Sequence, residues 1–511
     1  MAKNEIDMTH GPMWGKVLQY ALPVAATSML EQLFNATGVL IVGNFSHGDT
    51  NAEVAAVGSN MPVVGLILNL FIGVALGANV VIANAIGRGS RSGVRRAVVS
   101  ALAMAVIGGI ACLLIGEAIA APLMGWMNVT SDVAPHALVY LRIWLLCMPT
   151  ILLYNFEAAI FRSVGDTQTP LIALCASGLV NVAVSLLLVV AFQAGVAGVA
   201  VGIVVSTYVS SGVLLVRLKR TDTPIRMDVR RMFAVWIGGK RNSEAHSGAQ
   251  GSSLQKGGLQ GSGARNRDGA SDDGADESVT MPDWLTVRSI LAIGLPAGLQ
   301  SAVFSLANII IQAAINSLGT VVMAASSAAF NIEILAYFTL NAFSQACATF
   351  TGQNRGAREW RRCREALGIC LFEGFIATFA MMGILLAAGR WLLALFDSDP
   401  QVIAVGYQRL EIIFSGYVFS LIYEVSSGYL RGFGISLVPA ILTIAGVCGS
   451  RISWIAAVFP RWHTFGSLML IYPLSLALTA VLIGGAALAY HPVARRLKAG
   501  GAAADRAVAR N

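Results

Sequence analysis

The stretch Arg162–Pro170 reads RSVGDTQTP, and the stretch Arg431–Pro439 reads RGFGISLVP. Arginine, glycine and proline occupy the same relative positions in both, and each copy follows a long apolar run. A motif that recurs once, about half a chain length further on, indicates an internal duplication. The sequence therefore predicts a fold built from two similar halves.

Further matches between the halves occur in the same order along the chain. The matched pairs are Leu22-Pro23 with Leu295-Pro296, Asn35 with Asn308, Gly87 with Gly352, and Arg95-Arg96 with Arg361-Arg362. Duplicated halves are typical of many secondary transporters, in which the substrate binds near the bilayer midplane between the repeats.

The composition indicates a membrane protein. Hydrophobic residues make up 56% of the chain, charged residues only 12%, and the mean hydropathy is +0.69. Soluble domains carry about 25% charged residues, so this chain has too few charges to cover a surface that faces water. This argues against a soluble enzyme, a nucleic-acid-binding protein and a disordered scaffold.

Apolar runs long enough to cross a bilayer, about 20 residues each, number about twelve. They lie near 16–43, 54–87, 97–124, 136–161, 169–192, 195–216, 288–316, 320–352, 365–389, 401–430, 437–459 and 464–490. We therefore predict an all-α polytopic membrane protein with about twelve transmembrane helices in two pseudo-symmetric six-helix bundles.

The predicted domains follow from these runs. Residues 1–217 form an N-terminal half, 286–492 a C-terminal half, and 493–511 a cytoplasmic tail. Between the halves, residues 218–285 include a long stretch rich in Gly, Ser, Asn and Asp. Such a stretch cannot bury enough apolar surface to fold, and we expect a flexible cytoplasmic linker.

Basic residues predict the orientation in the membrane. The turns after the second and eighth runs are rich in arginine, whereas the turns after the first, third, fifth and seventh contain no Lys or Arg. Loops rich in Lys and Arg stay in the cytoplasm. We expect a multi-pass protein of the plasma (inner) membrane with both termini cytoplasmic.

The motifs together resemble the multidrug and toxic compound extrusion (MATE) family. Besides the two repeated stretches, they are LFNATGVLIVG at 33–43, IGRGSRSGVRRA at 86–97, Asn181 followed by GVAGVA at 195–200, and FTGQNRG at 350–356. The resemblance covers the chain apart from the linker. It implies two six-helix bundles in a V around a central cavity, which export amphipathic, often cationic, compounds in exchange for Na⁺ or H⁺.

Several residues of the family's usual cation sites are replaced. An Asp common in the first span corresponds to Gly38, and the Asp after Asn181 in the fifth span corresponds to Ser185. The usual Thr of the sixth span is Ile203, and the Glu that some members carry in the seventh is Phe304. Of the first-half site only Asn181 is retained.

Glu31 offers a replacement for the missing acids. It follows Pro23 by the same interval that separates the family's seventh-span Glu from its proline, and it shares a helical face with Asn35 and Gly38. A charge at the bilayer centre costs at least roughly 2.5–3.5 kcal/mol, so intramembrane acids are functional candidates. For Glu31 a structural hydrogen bond is the alternative. The predicted cation-coupling residues are Glu31, Asn35, Asn181, Glu333 and Glu424.

Other intramembrane acids have simpler interpretations. Glu157 precedes Arg162, and Glu424 precedes Arg431, on the same predicted helix. An ion pair is the preferred reading for Glu157 and the alternative reading for Glu424. For Glu373 a structural role is preferred.

The predicted substrate cavity contains amide, aromatic and acidic side chains. Amides within spans more often join helices, whereas aromatic residues can supply the walls of a promiscuous drug site. The candidates are Gln32, Phe34, Asn155, Phe304, Asn308, Asn331, Tyr337 and Glu411.

The predicted function is that of a secondary active antiporter, not an enzyme, exporting amphipathic and preferentially cationic organic compounds or drugs by alternating access. The alternative is a flippase for lipid-linked saccharides or other lipids on the same superfamily fold. Such flippases often have cavities rich in Arg and Lys, but the first half has only Arg142 within a span. We expect H⁺ or Na⁺ as coupling ion, no cofactor, no metal site, no nucleic-acid partner, and a monomer in the lipid bilayer that binds a small-molecule substrate.

Overall fold

A computed structural model describes residues 5–45, 50–126, 133–227 and 281–490. These ranges are almost entirely helical and contain no β-strand. The tail 493–511 and most of the predicted linker lie outside the described residues.

The N-terminal half consists of seven α-helices in its described part. They are α1 (Lys16–Phe45), α2 (Thr50–Gly87), α3 (Arg91–Trp126), α4 (Ala134–Leu146), α5 (Met148–Ser163), α6 (Gln168–Leu186) and α7 (Gly195–Arg220). A π-helical segment, Leu187–Ala191, continues α6. The run at 136–161 is not one straight helix, because α4 and α5 meet at an angle of 48°. Pro149 in the first turn of α5 lacks a backbone donor, which explains a break here.

The C-terminal half repeats this pattern. Its helices are α8 (Trp284–Asn316), α9 (Thr320–Gly356), α10 (Trp360–Ala387), α11 (Gly389–Ala394), α12 (Pro400–Gly432), α13 (Leu437–Thr443), α14 (Ser450–Ala457), α15 (Phe465–Met469) and α16 (Ile471–Tyr490). The π-helical segment Ile444–Gly449 joins α13 to α14. Asp283 caps α8 by accepting hydrogen bonds from the backbone of Leu285 and Thr286.

The helices fit a membrane-spanning fold. Ten helical segments among the described residues are long and apolar enough to cross a bilayer, and the bent pair α4–α5 raises this number to eleven. The helix α1 has 30 residues but falls outside this set. Glu31, Gln32 and Asn35 make its middle polar. With α1 included, the helices correspond to the twelve predicted runs.

Each half has its own apolar core, and α1 contributes to both. Val17 and Tyr20 near its start belong to the core of the C-terminal half, together with helices α9, α10 and α12. Leu30 and Phe34 in its middle pack against the core of the N-terminal half. The helix α1 therefore packs against the C-terminal half at its start and against the N-terminal half in its middle.

The two halves meet along α2, α8 and α9. A Cβ atom on Gly73 of α2 would overlap the backbone of Gly298 on α8, and one on Gly77 would overlap that of Ile290. Small residues allow helices in a membrane to approach this closely. We call the end of the bundle where α2 and α9 finish, at Gly87 and Gly356, the basic end, because arginine-rich turns follow both helices. The opposite end is the far end.

Candidate functional site

The halves are joined by hydrogen bonds from the middle of the bundle to the basic end. Among the described residues, the bonds between helices of opposite halves are Asn69 to Ser305 (3.4 Å), Tyr20 to Thr349 (2.9 Å), Thr349 to Asn79 (2.8 Å), Arg162 to Gln345 (3.3 Å), Asn84 to Gly352 (3.3 Å) and Gln353 to Ser163 (2.7 Å). The described helices form no such bond closer to the far end than Asn69. The interface is therefore closed towards the basic end.

Residues 5–15 cover this closed end. Met8 is fully buried, and its carbonyl oxygen accepts hydrogen bonds from Asn354 (3.1 Å) and Arg362 (3.2 Å). The backbone N–H of Gly15 donates to Glu373 at 2.9 Å, so Glu373 holds this segment. A cavity of about 830 Å³ lies beside the segment, with Asp7 and Gln353 in its lining.

Hydrogen bonds also stabilise the ionised form of Asp7 in this segment. Burial alone would raise the pKa of Asp7. Hydrogen bonds from the backbone and hydroxyl of Thr9 and from the backbone of His10 outweigh that effect, and the pKa is below its usual value. We therefore expect Asp7 to carry a negative charge at neutral pH.

Glu31 lies near Arg162, one of the residues whose hydrogen bonds close the interface between the halves. It is partly buried, and it makes no hydrogen bond or ion pair with the residues that the structure describes. Arg162 on α5 attracts it electrostatically. The guanidinium of Arg162 also donates across the interface to Gln345, while its Nε is buried without a hydrogen-bond partner. Glu31 thus faces a cation that helps hold the halves together.

The other first-half coupling candidates are not joined to Glu31 by hydrogen bonds in the described structure. Asn181 is buried on α6, and its Oδ1 accepts a hydrogen bond from Ser185 at 3.2 Å. The side chain of Asn35 lies outside the described part of the structure. Gly38 packs closely against Val199 of α7, since a Cβ there would lie 3.0 Å from that side chain.

Glu333 is one member of a buried ion pair. Arg409 donates to both of its carboxylate oxygens, at 3.0 and 3.2 Å, and both side chains are buried. Arg409 was not among the residues predicted from the sequence. Removing one partner of such a pair leaves an uncompensated buried charge. The geometry favours a structural role, and a role for Glu333 in ion coupling stays a prediction.

Glu424 and Tyr337 are brought together in the C-terminal half. The Tyr337 hydroxyl donates to Glu424 at 3.5 Å, which is a long hydrogen bond. Arg431 attracts Glu424, but its guanidinium donates instead to Gln300 at 3.1 Å. The ion pair considered for Glu424 and Arg431 is therefore absent among the described contacts. Glu424 remains a buried acid whose carboxyl group is surrounded by hydroxyl groups, from Tyr423, Tyr337 and Ser344.

Arg451 is a second buried cation that the sequence analysis missed. It is only 2% exposed, and it donates to Asn308 at 3.3 Å and to Ser475 at 3.1 Å. Its guanidinium carbon lies 4.5 Å from the ring centre of Tyr472 and 5.3 Å from that of Phe304. No described carboxylate forms an ion pair with it. The available signal was a charged residue inside the eleventh apolar run.

The remaining cavity candidates do not form one cluster. Phe34 packs into the space left by Gly178 on α6, and the side-chain amide of Asn155 donates to Ile151 of its own helix at 2.9 Å. Asn331 and Glu411 are exposed, and Gln32 is partly exposed. Their roles in binding substrate stay predictions.

Glu157 does not form the predicted ion pair with Arg162. The carboxyl group is fully buried, and one oxygen accepts a hydrogen bond from Ser211 on α7 at 3.0 Å. The other oxygen, Oε1, has no hydrogen-bond partner. The prediction was wrong because Arg162 turns towards Gln345 in the opposite half.

Comparison with known families matches both halves to one model. The family model described as MatE covers residues 23–187 and 296–454, together more than half of the chain. The two matched ranges fall in the two halves defined by the helices.

Three relatives are similar over most of their length. The chain is 21% identical to the probable multidrug resistance protein YoeA of Bacillus subtilis, over 93% of each chain. It is 22% identical to the probable multidrug resistance protein NorM of Thermotoga maritima, over 89% of this chain and 87% of that protein. It is 23% identical to a FAD transporter of Shewanella oneidensis, over 75% of this chain and 76% of that protein.

Solved structures have the same fold. A MATE protein in complex with MaL6 superposes with a TM-score of 0.80 at 18% identity, covering 98% of this chain and all of that one. The outward-facing conformation of a multidrug resistance MATE family transporter gives the same TM-score and identity, covering 98% and 99% of the two chains. The predicted arrangement of two six-helix bundles is therefore confirmed.

Proposed function

Because the chain belongs to the MatE family of membrane transporters, we propose that it is an antiporter that extrudes amphipathic organic compounds in exchange for H⁺. It is a transporter and not an enzyme, and relatives named multidrug resistance proteins support drug extrusion as its activity. The observation that carries the proposal is Glu31, an intramembrane acid without an ion pair among the described residues, which faces Arg162 where hydrogen bonds close the interface between two similar halves.

The distribution of contacts supports an alternating-access cycle. The halves are bonded from Asn69 to the basic end, where residues 5–15 cover the interface. With the basic end in the cytoplasm, as the arginine-rich turns suggest, this arrangement is open outwards. Opening inwards would then require the bonds of Gln345, Thr349 and Gln353 to the N-terminal half to break.

Protonation of Glu31 would change the forces at this interface. The carboxylate attracts Arg162, and that guanidinium is also a donor to Gln345. A proton on Glu31 removes the attraction, so the two protonation states differ in interaction energy across the interface. A ligand shifts a conformational equilibrium only through such a difference. We favour H⁺ over Na⁺ because Glu31 has no second acidic ligand among the described residues.

The test is transport by the purified full-length protein in proteoliposomes, with Na⁺ and pH gradients imposed separately and a fluorescent cation such as ethidium as cargo. We expect a pH gradient to drive uptake, and Glu31→Gln to lower that rate at least about tenfold, since it removes an interaction required in the cycle. The control is Glu365→Gln, an exposed acid near the start of α10, which should keep the wild-type rate. Unchanged rates in Glu31→Gln would contradict the coupling role, and uptake driven only by Na⁺ would contradict H⁺ as the ion.

A second candidate is the transport of an organic anion. Arg451 supplies a buried positive charge beside Phe304 and Asn308, two of the residues proposed to line the cavity. One relative is named a FAD transporter, and FAD carries negative phosphates. A buried arginine also fits the flippase alternative, because the lipid-linked cargo of a flippase would be anionic.

We further propose that the protein acts as a monomer in the plasma (inner) membrane with both termini in the cytoplasm. The clustered arginines after Gly87 and Gly356 support this orientation.

A further inference from the structure

Glu157 is a buried carboxyl group without a compensating cation. Its side chain is fully buried between helices of the N-terminal half. The hydroxyl of Ser211 donates to Oε2 at 3.0 Å, whereas Oε1 has no hydrogen-bond partner. No described lysine or arginine forms an ion pair with it, and Arg162 on the same helix is bonded elsewhere.

This environment distinguishes between the two protonation states of Glu157. As a carboxylate, Oε1 would be a buried negative atom without a donor, which is the more costly way to bury an acid. When Glu157 is a neutral acid, Oε2 still accepts the hydrogen bond from Ser211. Oε1 then carries the proton, and this hydroxyl group lacks only an acceptor. In this conformation the geometry therefore favours Glu157 with a proton on Oε1.

Glu157 and Glu31 make no described contact with each other, and the group that interacts with both is Tyr154; we call these three residues the cluster. Tyr154 lies on the same helix, one turn away, and it interacts electrostatically with Glu31, Arg162, Glu157 and Cys175. The Tyr154 hydroxyl donates to the carbonyl oxygen of Pro170 at 3.4 Å. From α7, the polar neighbour of Glu157 is Ser211. One acid of the cluster thus faces Arg162 at the interface, and the other is enclosed within the N-terminal half.

We propose that Glu157 binds a second exchanged proton, so that Glu31 and Glu157 together form a two-proton site in the N-terminal half. This rests on the proposed H⁺ antiport. In the conformation described here, Glu157 holds its proton. When the halves rearrange and water reaches the cluster, the O–H bond at Oε1 breaks, the proton passes to water, and Ser211 donates to the resulting carboxylate. Protonation from the opposite side completes the cycle.

The first test uses Glu157→Gln, which keeps the shape of the side chain and an oxygen that can accept from Ser211. We expect uptake of ethidium driven by a pH gradient to fall at least about tenfold. Exchange of internal for external ethidium, without a gradient, should stay within about twofold of the wild-type rate, because it requires no net proton movement. A purely structural role for Glu157 predicts that both rates change together, and equal loss or equal retention of the two rates would overturn the proposal.

Ser211→Ala is the matched control variant. It removes the donor but retains the acid, so pH-driven uptake should persist, with its midpoint moved to higher pH because the carboxylate has lost a stabilising hydrogen bond. Loss of pH-driven uptake in Ser211→Ala, with normal uptake in Glu157→Gln, would refute the assignment.

The number of protons exchanged per cargo molecule gives a test that does not depend on how a variant folds. Ethidium carries one positive charge, so exchange for two protons moves net charge and a membrane potential can stop it at a fixed pH gradient. Exchange for one proton is electroneutral and does not respond to the potential. We expect two protons per ethidium, and one proton would overturn the role of Glu157 while leaving H⁺ antiport intact. Wild-type uptake driven by Na⁺ but not by pH would overturn both proposals.

Discussion

Arg451 is the residue that most changes the expected chemistry of the cavity. The sequence favours a cationic or neutral cargo, because the first half has only Arg142 within a span. The described part of the second half contains three buried arginines, Arg409, Arg431 and Arg451. Arg409 is neutralised by Glu333, but among the described residues Arg451 contacts only neutral groups, namely Asn308, Ser475 and two aromatic rings. Its charge is therefore available to a negatively charged ligand.

Replacement of Arg451 tests whether an anion binds there. If FAD binds the wild-type protein, Arg451→Gln should weaken binding about tenfold, since hydrogen bonds to charged groups contribute about 1.5–3 kcal/mol. Ethidium binding should not weaken, because the substitution removes a buried positive charge that repels this cation. The measurement is fluorescence anisotropy of each ligand with purified protein.

Arg390→Gln provides the control for that experiment, because Arg390 is an exposed arginine of the C-terminal half. Equal FAD binding by wild type and Arg451→Gln, or no FAD binding by the wild type, would eliminate the anion candidate.

At the scale of the helix, the contact between α2 and α8 depends on paired glycines. A Cβ on Gly298 of α8 would overlap the carbonyl oxygen of Leu70 on α2. A Cβ on Gly73, also on α2, would overlap the backbone of Gly298. We expect Gly298→Leu to force the helices apart and to destabilise the protein by at least about 1–3 kcal/mol, the usual cost of overpacking. The measurement is thermal unfolding in detergent, followed by tryptophan fluorescence.

The matched control is Gly484→Leu on α16, where a Cβ would meet open space. This variant should unfold at the wild-type temperature. Equal stability of both leucine variants would contradict the close packing of α2 on α8.

The helices were predictable because long apolar runs leave few alternatives in a membrane. The breaks within these helices were less predictable. The bend between α4 and α5 and the π-helical segment in the eleventh run occur within stretches that read as continuous. Pro149 was a usable signal for the first, whereas no single residue type marks a π-helical segment.

Side-chain pairing was predicted less well than the helices, for a physical reason. The spacing of Glu157 and Arg162 allowed an ion pair on one helix, but Arg162 instead reaches Gln345, which is far away in the sequence. The pairing of Glu333 with Arg409 likewise depends on how α9 packs against α12. Helical periodicity gives the face on which a residue lies, not the partner that the opposite helix presents.

At the scale of the whole molecule, the orientation in the membrane is open to direct measurement. Ser398 is exposed in the turn before α12 at the far end, and Asp222 is exposed after α7 at the basic end. In a variant lacking the native cysteines, Ser398→Cys should react with an impermeant thiol reagent on intact cells. Asp222→Cys should react only after permeabilisation, and the reverse pattern would invert the topology.

Residues 5–15 are attached unequally to the two halves. Ile6, Met8 and Met13 belong to the core of the C-terminal half, and Asn354, Arg362 and Glu373 of that half hold the segment by hydrogen bonds. Against the N-terminal half it packs at Gly165, where a Cβ would lie 2.8 Å from the carbonyl oxygen of Ile6.

If the halves separate at the basic end, this segment should travel with the C-terminal half, and the line of parting should run between Ile6 and Gly165. Gly165 has a φ of +88°, a conformation that other residues rarely adopt. The N-terminal half therefore meets residues 5–15 with the backbone of Gly165, and no side chain at this position obstructs their separation. The positive φ that Gly165 shares with Gly434 in the second copy of the turn would then favour separation of the halves as well as folding.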